Sequence, residues 1–376
     1  MFFVENSFKI KKIACNTTKR RGIPCAKTER HTHRSEKKRP TAKKYAKQSM
    51  TREEHRKHLK RLYLKTLLIT LAVCLALLGA AYGVFLYMIG GLDRTEVDED
   101  NLSVNESVNE KVINIALYGV DSRNHDYNGR SDVVMVASVN TKTGQVKLVS
   151  IARDTYVAIP GYNNTRINHA FSYGGPELAI RTLNENFGLD VTDYVAVNFD
   201  SLAEVIDAMG GVEVDVTEAE RRQINAYLLS GEPLYETGYI TLNGPQAVSY
   251  SRIRKIDNDD MRTSRQREVL ASLFEKAKEI NPLEYPSYVR KFAPMVQTSL
   301  SNDELLKLAS VGLKGSSLTL DQAAFPNEYI HAEGKIIGKA WYYIYDLAQA
   351  KDMLHKYLYE DIPFAQYASS GDEEKD

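Results

Sequence analysis

Two aspartates are predicted to lie at one edge of a β-sheet. Asp121 directly follows residues 112–120, whose apolar and β-branched side chains are typical of a strand. Asp132 directly precedes a second pattern of this kind, at residues 133–140. The loop 122–131 must return the chain to the start of the second strand, so both carboxylates come to the same edge. Neighbouring carboxylates can hold a hard divalent cation such as Mg²⁺.

An arginine is expected beside Asp132. Residues 146–151 form a third strand pattern, and a turn signal that runs from Thr141 to Gly144 joins it to the second. If the hairpin is centred on this turn, the numbers of paired residues sum to 285. Asp132 then lies opposite Arg153. The register alone predicts an ion pair at the edge of the sheet.

A second group of charged side chains occurs further along the chain. Residues 247–253 have the pattern of a strand, so Arg252 and Arg254, which are two residues apart, are predicted to point to the same face. A helix is predicted to begin soon afterwards, and the free N–H groups and dipole of a helix start favour an anion. The residues around this helix start include Asp259, Arg262, Arg265 and Gln266.

The arginines and aspartates together suit a pyrophosphate. Guanidinium groups bind phosphate oxygens in bidentate pairs, and a divalent cation neutralises further negative charge. The alternative is a set of structural salt bridges, which are common at protein surfaces. The predicted repulsion between Arg252 and Arg254 favours the binding site, because a bound anion would offset it.

Strand and helix patterns alternate from residue 112 onwards, which predicts an α/β domain with its own core. Further strands are predicted at residues 191–199, 212–216 and 341–345, and helices at residues 176–187, 201–209, 264–280, 303–313 and 345–359. The aromatic run of residues 341–345 could contact glycan or membrane, although a strand with buried aromatic rings is the favoured interpretation.

Charge divides the chain into three parts. Residues 1–65 hold 21 Lys and Arg against 5 Asp and Glu, residues 66–92 hold none of these, and residues 93–376 hold 28 against 44. The 27 uncharged residues exceed the roughly 20 that cross a bilayer as a helix. A basic flank marks the cytoplasmic side. The sequence therefore predicts a single-pass protein of the cytoplasmic membrane with a cytoplasmic N-terminus and an extracellular C-terminal domain.

The remaining segments complete the predicted organisation. Residues 1–65 are expected to be a largely disordered basic tail, residues 93–111 an acidic linker, residues 112–367 the extracellular domain and residues 368–376 an acidic disordered tail. The basic tail could meet anionic lipid or nucleic acid. It lacks a helix-turn-helix pattern, zinc-finger spacing and interleaved aromatic residues, which argues against nucleic acid as a partner.

Seven short motifs within residues 112–280 resemble the LytR-CpsA-Psr family of bacterial cell-envelope proteins. They follow the family's order and lie behind a single anchor with a basic inner flank. The motifs are Gly119-Val120-Asp121-Ser122-Arg123, Arg130-Ser131-Asp132, Ser150-Ile151-Ala152-Arg153-Asp154-Thr155, Arg166-Ile167-Asn168-His169-Ala170, Gly210-Gly211-Val212, Tyr250-Ser251-Arg252-Ile253-Arg254 and Arg262-Thr263-Ser264-Arg265-Gln266. Ala152 replaces a frequent Pro, and Arg166 stands where the family often has Lys.

The resemblance implies an αβα sandwich with a central mixed sheet, preceded by one transmembrane helix. It implies a phosphotransferase that moves a glycopolymer from a polyprenyl-pyrophosphate carrier to peptidoglycan and releases polyprenyl phosphate. It also implies Mg²⁺ (or Mn²⁺) at Asp121 and Asp132. The pyrophosphate contacts implied are Arg153, Arg166, Arg252, Arg254, Arg262 and Gln266. From the chemistry of phosphoryl transfer we expect Arg153, Asp132 and Asp259 to be catalytic. Arg153 would stabilise charge on the phosphate, Asp259 is a candidate for the general base, and Asp132 could serve indirectly through the metal. Asp154 is a second candidate for the general base.

Two other functions stay open at the level of sequence. A lipid-pyrophosphate binding protein or a pyrophosphatase needs nearly the same residues, and only an acceptor assay separates these from the transferase. An envelope-linked transcriptional attenuator is the other possibility, and the basic tail gives it little support.

The sequence gives little support to other kinds of functional site. The four histidines of residues 93–376 lack the spacing of zinc ligands, and the chain has no Gly-x-Ser-x-Gly elbow. We expect His169 to be a structural hydrogen-bonding residue. A prenyl chain needs an apolar slot, and residues 194–199 and 202–209 are apolar enough to line one, although ordinary core packing is the favoured explanation.

Overall fold

The computed structural model describes residues 52–105, 111–122, 127, 129–281 and 283–367. The predicted tail at residues 368–376 and residues 1–51 of the predicted basic tail lie outside the described residues, whereas residues 52–65, also predicted to be largely disordered, are helical. The helices are α1 (Arg52–Ile89), α2 (His169–Phe187), α3 (Phe199–Ala208), α4 (Glu218–Tyr227), α5 (Gly244–Ser251), α6 (Asp259–Glu279), α7 (Tyr285–Phe292), α8 (Asn302–Gly312) and α9 (Leu347–Tyr359). The strands are β1 (Asp93–Arg94), β2 (Val112–Val120), β3 (Ser131–Asn140), β4 (Gln145–Ile151), β5 (Tyr156–Val157), β6 (Thr165–Arg166), β7 (Asp193–Asn198), β8 (Val212–Val216), β9 (Gly238–Leu242), β10 (Gln297–Thr298), β11 (Thr319–Phe325), β12 (Ala332–Ile337) and β13 (Ala340–Tyr345).

Helix α1 contains the uncharged run predicted to cross a membrane. It is 38 residues long, and its segment His55–Ile89 is the one helical segment in the described part of the chain that is long and apolar enough for a span. The helix begins before the uncharged run because the Arg, Glu, Lys and Leu residues there are strong helix formers. It ends at Gly90 and Gly91, since glycine is a poor helix former.

A seven-stranded mixed sheet forms the centre of the domain, in the order β1-β10-β7-β2-β3-β4-β11. Strands β2, β3 and β4 run antiparallel, while β7 is parallel to β2 and β11 is parallel to β4. Met135 pairs with Ser150 and Val136 pairs with Val149, so the paired numbers sum to 285. The predicted register of the hairpin is therefore confirmed.

Helices cover both faces of the sheet. Side chains such as Ala116 and Val136 join a core cluster with α2 and α9, while their neighbours Leu117 and Val133 face α3 and α6. This alternation follows from the two-residue period of a strand. A second core cluster joins the hairpin β8–β9 to α4, α5 and α6. The predicted αβα sandwich with a central mixed sheet is confirmed.

The strand predicted at residues 247–253 is wrong, because most of this segment belongs to α5. Asn243 caps the helix by accepting a hydrogen bond from the backbone N–H of Gln246, whose side chain in turn accepts one from the backbone N–H of Asn243. Pro245 lies in the first turn, where its fixed φ suits a helix. Every residue of α5 apart from Pro245 is buried. A helix that is buried on all sides has no polar face, so its apolar pattern does not distinguish it from a buried strand.

The predicted linker at residues 93–111 is also wrong over its described part. Strand β1 joins the edge of the sheet parallel to β10. Leu102 is fully buried, and its carbonyl accepts a hydrogen bond of 2.9 Å from Nδ2 of Asn184. Val97 and Val104 also pack against the core, and the acidic composition of the segment conceals these apolar contacts. Residues 106–110 lie outside the described residues.

Five helices begin at other residues than predicted, and α3 and α8 differ by only two residues and one residue. Helix α2 starts at His169 and bends at Gly174 and Gly175, ahead of Pro176, which was the predicted start. Helix α6 starts at Asp259, because the side chain of Asn258 accepts a hydrogen bond from the backbone N–H of Met261. Helix α9 starts after Asp346, which caps it in the same way. The earlier start of α6 brings Asp259 and Arg262 into its first turn.

We predict that Gly244→Ala lowers the stability of the domain. A β-carbon at residue 244 would lie 2.1 Å from the backbone oxygen of Ala203, so α3 and α5 would have to separate. Overpacking of this kind costs about 1–3 kcal/mol. Gly312→Ala in α8 is the matched control, because no atom lies within 4 Å of the position that its new methyl group would take. Urea denaturation of the two variants measures the difference, and equal midpoints would contradict the prediction.

Candidate functional site

Asp132 lies at a β-bulge near the start of β3. The pairing between β2 and β3 shifts between Gly119 and Val120, so that β3 holds one extra residue at this point. A bulge interrupts the alternation of a strand and redirects a side chain. The extra residue is Asp132, which is placed to face the end of β4.

The carboxylate of Asp132 is held between two arginines. Nη1 of Arg153 lies 2.5 Å from Oδ1 of Asp132, and Nη2 of Arg254 lies 2.8 Å from Oδ2. The predicted contact between Asp132 and Arg153 is thus confirmed. Burial alone would raise the pKa of Asp132, but the two guanidinium groups lower it below its usual value. Asp132 therefore stays charged.

The first turn of α6 adds a second carboxylate and a third arginine. Oδ1 of Asp259 lies 3.6 Å from Nη2 of Arg153, and Oδ2 of Asp259 lies 3.0 Å from Nη2 of Arg262. Three guanidinium groups thus share the carboxylates of Asp132 and Asp259. We call Arg153, Arg254, Arg262, Asp132 and Asp259 the arginine cluster.

Arg262 is the most buried member of the arginine cluster. It is 1% exposed, and its Nε and Nη1 have no hydrogen-bond partner among the described residues. Burial lowers the pKa of Arg262 to about 10, and the positive charges of Arg153 and Arg254 act in the same direction. Buried donors without acceptors are rare in folded proteins. The cluster therefore has more hydrogen-bond donors than the described residues supply acceptors for.

Arg166 reaches the cluster through Asp154. Nε of Arg166 lies 3.0 Å from Oδ1 of Asp154, whose Oδ2 lies 3.4 Å from Nε of Arg153. Nε of Arg166 also donates to the carbonyl oxygen of Trp341 at 3.0 Å. The side chain is thus fixed next to the cluster, with a carboxylate between it and Arg153.

Arg252 and Arg254 do not share the face of a strand, so the predicted repulsion between them loses its basis. Arg252 ends α5, and its guanidinium carbon lies 4.5 Å from the ring centroid of Phe199. Ile253 between them is buried, whereas Arg254 extends to Asp132. No pattern in the sequence pointed to Phe199 as the partner of Arg252, because the two residues lie on different helices.

Arg265 is not available to an anion, although it belongs to the motif at the start of α6. It is 2% exposed, and it forms ion pairs with Glu220, at 2.8 Å, and with Asp257. Glu220 is also the third residue of α4, where it completes the capping box with Thr217. Arg265 therefore connects α6 to α4 and serves the fold.

An apolar cavity of about 150 Å³ opens beside the cluster, between the sheet and helices α3 and α6. Val195 and Val197 of β7 and Leu202 of α3 line it, so the expectation that these segments only fill the core is wrong for these side chains. Gln266 and Ser251 supply polar groups, and Nε2 of Gln266 lies 3.4 Å from the carbonyl oxygen of Ser251. Periodicity could not reveal this cavity, because side chains that line a void and side chains that fill a core have the same pattern.

Asp121 lies on the strand next to Asp132 but makes no ion pair with the described residues. Its side chain is exposed, and its backbone N–H donates to the carbonyl oxygen of Arg130 at 2.9 Å. Because β2 and β3 are antiparallel, Asp121 lies one residue outside the pair of Val120 with Ser131, and Asp132 lies one residue inside it on the neighbouring strand. The described residues contain no group of three His, Cys, Asp or Glu side chains arranged as metal ligands.

His169 occupies a structural position at the start of α2. Its Nδ1 lies 3.2 Å from Oγ1 of Thr165 and 3.3 Å from the hydroxyl oxygen of Tyr173. Burial lowers the pKa of His169, and Arg130 and Arg166 contribute to the shift. These contacts fit the predicted hydrogen-bonding role.

The family model, the related proteins and the solved structures that are similar to this chain agree with one another. A model of the LytR_cpsA_psr family matches residues 90–357. The polyisoprenyl-teichoic acid–peptidoglycan teichoic acid transferase TagU of Oceanobacillus iheyensis is 33% identical over 265 residues, which are 67% of this chain and 78% of that protein. TagU of Enterococcus faecalis is 33% identical over 64% of this chain and 80% of its own length. The solved structure of TagT bound to LI-WTA is 26% identical with a TM-score of 0.58, over 70% of this chain and 97% of its own.

We predict that Arg265→Ala and Arg252→Ala differ strongly in their effect on stability. Arg265→Ala leaves Glu220 and Asp257 without their cation, and breaking a buried ion pair costs about 3–5 kcal/mol. Arg252→Ala removes a half-exposed cation–π contact worth about 0.5–1 kcal/mol. Urea denaturation checks both values. A loss for Arg252→Ala as large as that for Arg265→Ala would make Arg252 a structural residue.

Proposed function

This chain belongs to the LytR_cpsA_psr family, and from that premise we propose that it is a phosphotransferase that moves a glycopolymer from a polyprenyl-pyrophosphate carrier to peptidoglycan. The two TagU relatives are named as transferases of teichoic acid to peptidoglycan. Teichoic acid is therefore the polymer we propose. The observation that carries the proposal is the arginine cluster beside an apolar cavity.

The arginine cluster suits the pyrophosphate of the carrier. Together with Asp154 and Arg166, which contact it, the cluster has four guanidinium groups and three carboxylates, which leaves one positive charge unbalanced. Nε and Nη1 of Arg262 are free to donate to phosphate oxygens. Guanidinium groups match such oxygens in charge and geometry. Gln266, which lines the cavity, and Arg252, which lies against Phe199 of the cavity wall, are proposed as further contacts. Arg166 is proposed as another contact, because Asp154 connects it to Arg153.

The apolar cavity suits the beginning of the polyprenyl chain. Gln266 belongs both to the wall of the cavity and to the helix that carries Arg262. A lipid whose isoprenyl units enter between β7 and α3 would therefore place its pyrophosphate at the arginine cluster. Removing these units from water contributes binding free energy without any directional contact.

The reaction follows from this arrangement. A hydroxyl oxygen of the wall glycan forms a bond to the phosphorus next to the glycopolymer, and the bond from that phosphorus to the bridging oxygen breaks. Polyprenyl phosphate leaves with the bonding electrons, and the hydroxyl proton passes to a base. Arg153, Arg254 and Arg262 stabilise the negative charge on the phosphate oxygens. The carboxylates of Asp154 and Asp259, both next to Arg153, are the proposed acceptors of the proton.

We further propose that Asp121 and Asp132 hold Mg²⁺ (or Mn²⁺). Each carboxylate oxygen has more than one lone pair, so Asp132 can contact both arginines and a cation. The exposed carboxylate of Asp121 is free to turn towards it. A bound divalent cation would neutralise negative charge on the pyrophosphate.

The membrane helix supports a surface-anchored enzyme. Helix α1 is long and apolar enough to span a bilayer. The Lys and Arg residues that precede the apolar run support a cytoplasmic N-terminus and an extracellular domain. Protease added to intact protoplasts would then remove residues 93–376, and protection of this domain would contradict the orientation.

We predict that Asp132→Asn abolishes or greatly reduces transfer through loss of the metal, because an amide is a poor ligand for a hard cation. The assay uses the purified full chain in detergent, a lipid-pyrophosphate-linked teichoic acid and peptidoglycan. Wild-type transfer should stop with EDTA and return with Mg²⁺, while Asp132→Asn should need much more Mg²⁺ or stay inactive. Asp215→Asn on β8 is the matched control and should behave as wild type.

Three outcomes of this assay would contradict parts of the proposal. Full activity of the wild type in EDTA would mean that transfer needs no metal at Asp121 and Asp132, so these two carboxylates would have a purely structural role. Release of free phosphorylated polymer without attachment to the wall would identify a pyrophosphatase, and binding of the lipid without turnover would identify a binding protein.

A further inference from the structure

A second pocket, of about 590 Å³, lies on a different side of α6 from the apolar cavity. Its walls come from α6, the end of β11 and the segment that connects β11 to β12. Unlike the apolar cavity, it exposes charged, amide and aromatic groups together. Its volume is in the range of pockets that hold small ligands.

Helix α6 separates the two pockets by its geometry. Asp259, Arg262 and Gln266 are three and seven residues apart, so they lie on one side of the helix, towards the arginine cluster and the apolar cavity. Asp260 and Arg267 follow Asp259 and Gln266 by one residue each, which turns them by about 100° to the next side of the helix. Both of these residues line the second pocket.

Two buried donors in this pocket have no acceptor. Nη1 of Arg267 and Nδ2 of Asn327 are buried and find no hydrogen-bond partner among the described residues. Both residues line the pocket. Leaving such groups unsatisfied is costly, which points to a ligand that brings acceptor oxygens.

Acceptors and aromatic rings complete the pocket. The hydroxyl group of Tyr343 donates to both carboxylate oxygens of Asp260 at 3.2 Å, and burial raises the pKa of Tyr343 to about 12, so the hydroxyl keeps its proton. Asp260 and Glu328 can accept hydrogen bonds from hydroxyl groups, and Tyr329 offers an aromatic face. Donors, acceptors and aromatic rings together fit a sugar, which has hydroxyl groups at its edge and C–H groups on its faces.

The pocket adjoins the arginine cluster. Asp260 follows Asp259 in the first turn of α6, and the backbone N–H of Tyr343 donates to the carbonyl oxygen of Asp154 at 2.9 Å. A sugar in the pocket would therefore have a hydroxyl group close to the two carboxylates proposed as proton acceptors. The donor lipid would approach the same cluster from the adjacent side of α6, which lines the apolar cavity.

We propose that this second pocket binds the acceptor glycan, and that Arg267 and Asn327 recognise carboxylate and acetamido oxygens of its amino sugars. This inference rests on the proposed function, because it assigns the acceptor of the same reaction. Arg267 and Asn327 act in binding and take no part in the transfer of the proton or the phosphorus.

The test measures binding of glycan and lipid separately with the full chain in detergent. The glycan probe is a soluble, peptide-free strand of alternating N-acetylglucosamine and N-acetylmuramic acid, and the lipid probe is a short-chain polyprenyl pyrophosphate. Arg267→Gln should weaken glycan binding at least ten-fold and leave lipid binding unchanged, while Arg267→Lys should keep much of the affinity. Asn327→Ala is an independent variant that leaves α6 intact and should also weaken glycan binding. Arg222→Gln on α4, an exposed arginine, is the matched control.

The outcomes separate this inference from the proposed function. Wild-type protein that binds the lipid but not the glycan, or equal glycan affinity in wild type, Arg267→Gln and Asn327→Ala, would overturn the acceptor pocket and leave the donor site in place. Glycan binding that depends on Arg267, with no binding of the lipid, would support the pocket and contradict the proposed donor. An oligomer of N-acetylglucosamine alone lacks the carboxylate, so it should bind more weakly and respond little to Arg267→Gln.

Discussion

Arg262 is a buried cation that the protein does not fully neutralise. Its one ion-pair partner among the described residues, Asp259, also contacts Arg153, and Arg153 shares Asp132 with Arg254. Moving a guanidinium group out of water is costly unless its charge and its donors are compensated. The protein keeps three such groups together with two carboxylates, and the rest of the site serves to hold them in place.

Each member of the cluster depends on a particular local structure. The β-bulge redirects Asp132 at the edge of the sheet, and the cap of α6 at Asn258 places Asp259 and Arg262 in the first turn. The buried pairs of Arg265 attach α6 to α4, so the helix that carries Arg262 cannot easily shift. Helix α6 also divides the apolar cavity from the polar pocket. A phosphate at the arginine cluster would thus lie between the apolar cavity, which suits a lipid chain, and the polar pocket, which suits a sugar.

Part of this site follows from local rules in the sequence. The hairpin register depends only on strand patterns and one turn, so these patterns are sufficient to place Arg153 beside Asp132. The start of α6 was predicted five residues too late, although the cap at Asn258 that fixes it is a local signal. Other features depend on contacts between distant segments. Arg265 meets Glu220 from another helix, α5 is buried on all sides and resembles a strand, and the apolar cavity arises from the distance between β7 and α3.

The account rests on Arg262 as a receptor for pyrophosphate, and ligand-dependent melting of Arg262→Met tests this role. Methionine is apolar and flexible, and Asp259 keeps Arg153 as a cation at 3.6 Å, so the substitution removes one of three neighbouring positive charges without leaving that carboxylate unpaired. Without ligand, the variant should therefore melt at or above the temperature of the wild type. With a short-chain polyprenyl pyrophosphate, the melting temperature of the wild type should rise, and the variant should bind at least ten-fold more weakly. A variant that melts far below the wild type yet binds the pyrophosphate equally well would contradict the account, because Arg262 would then serve only the fold.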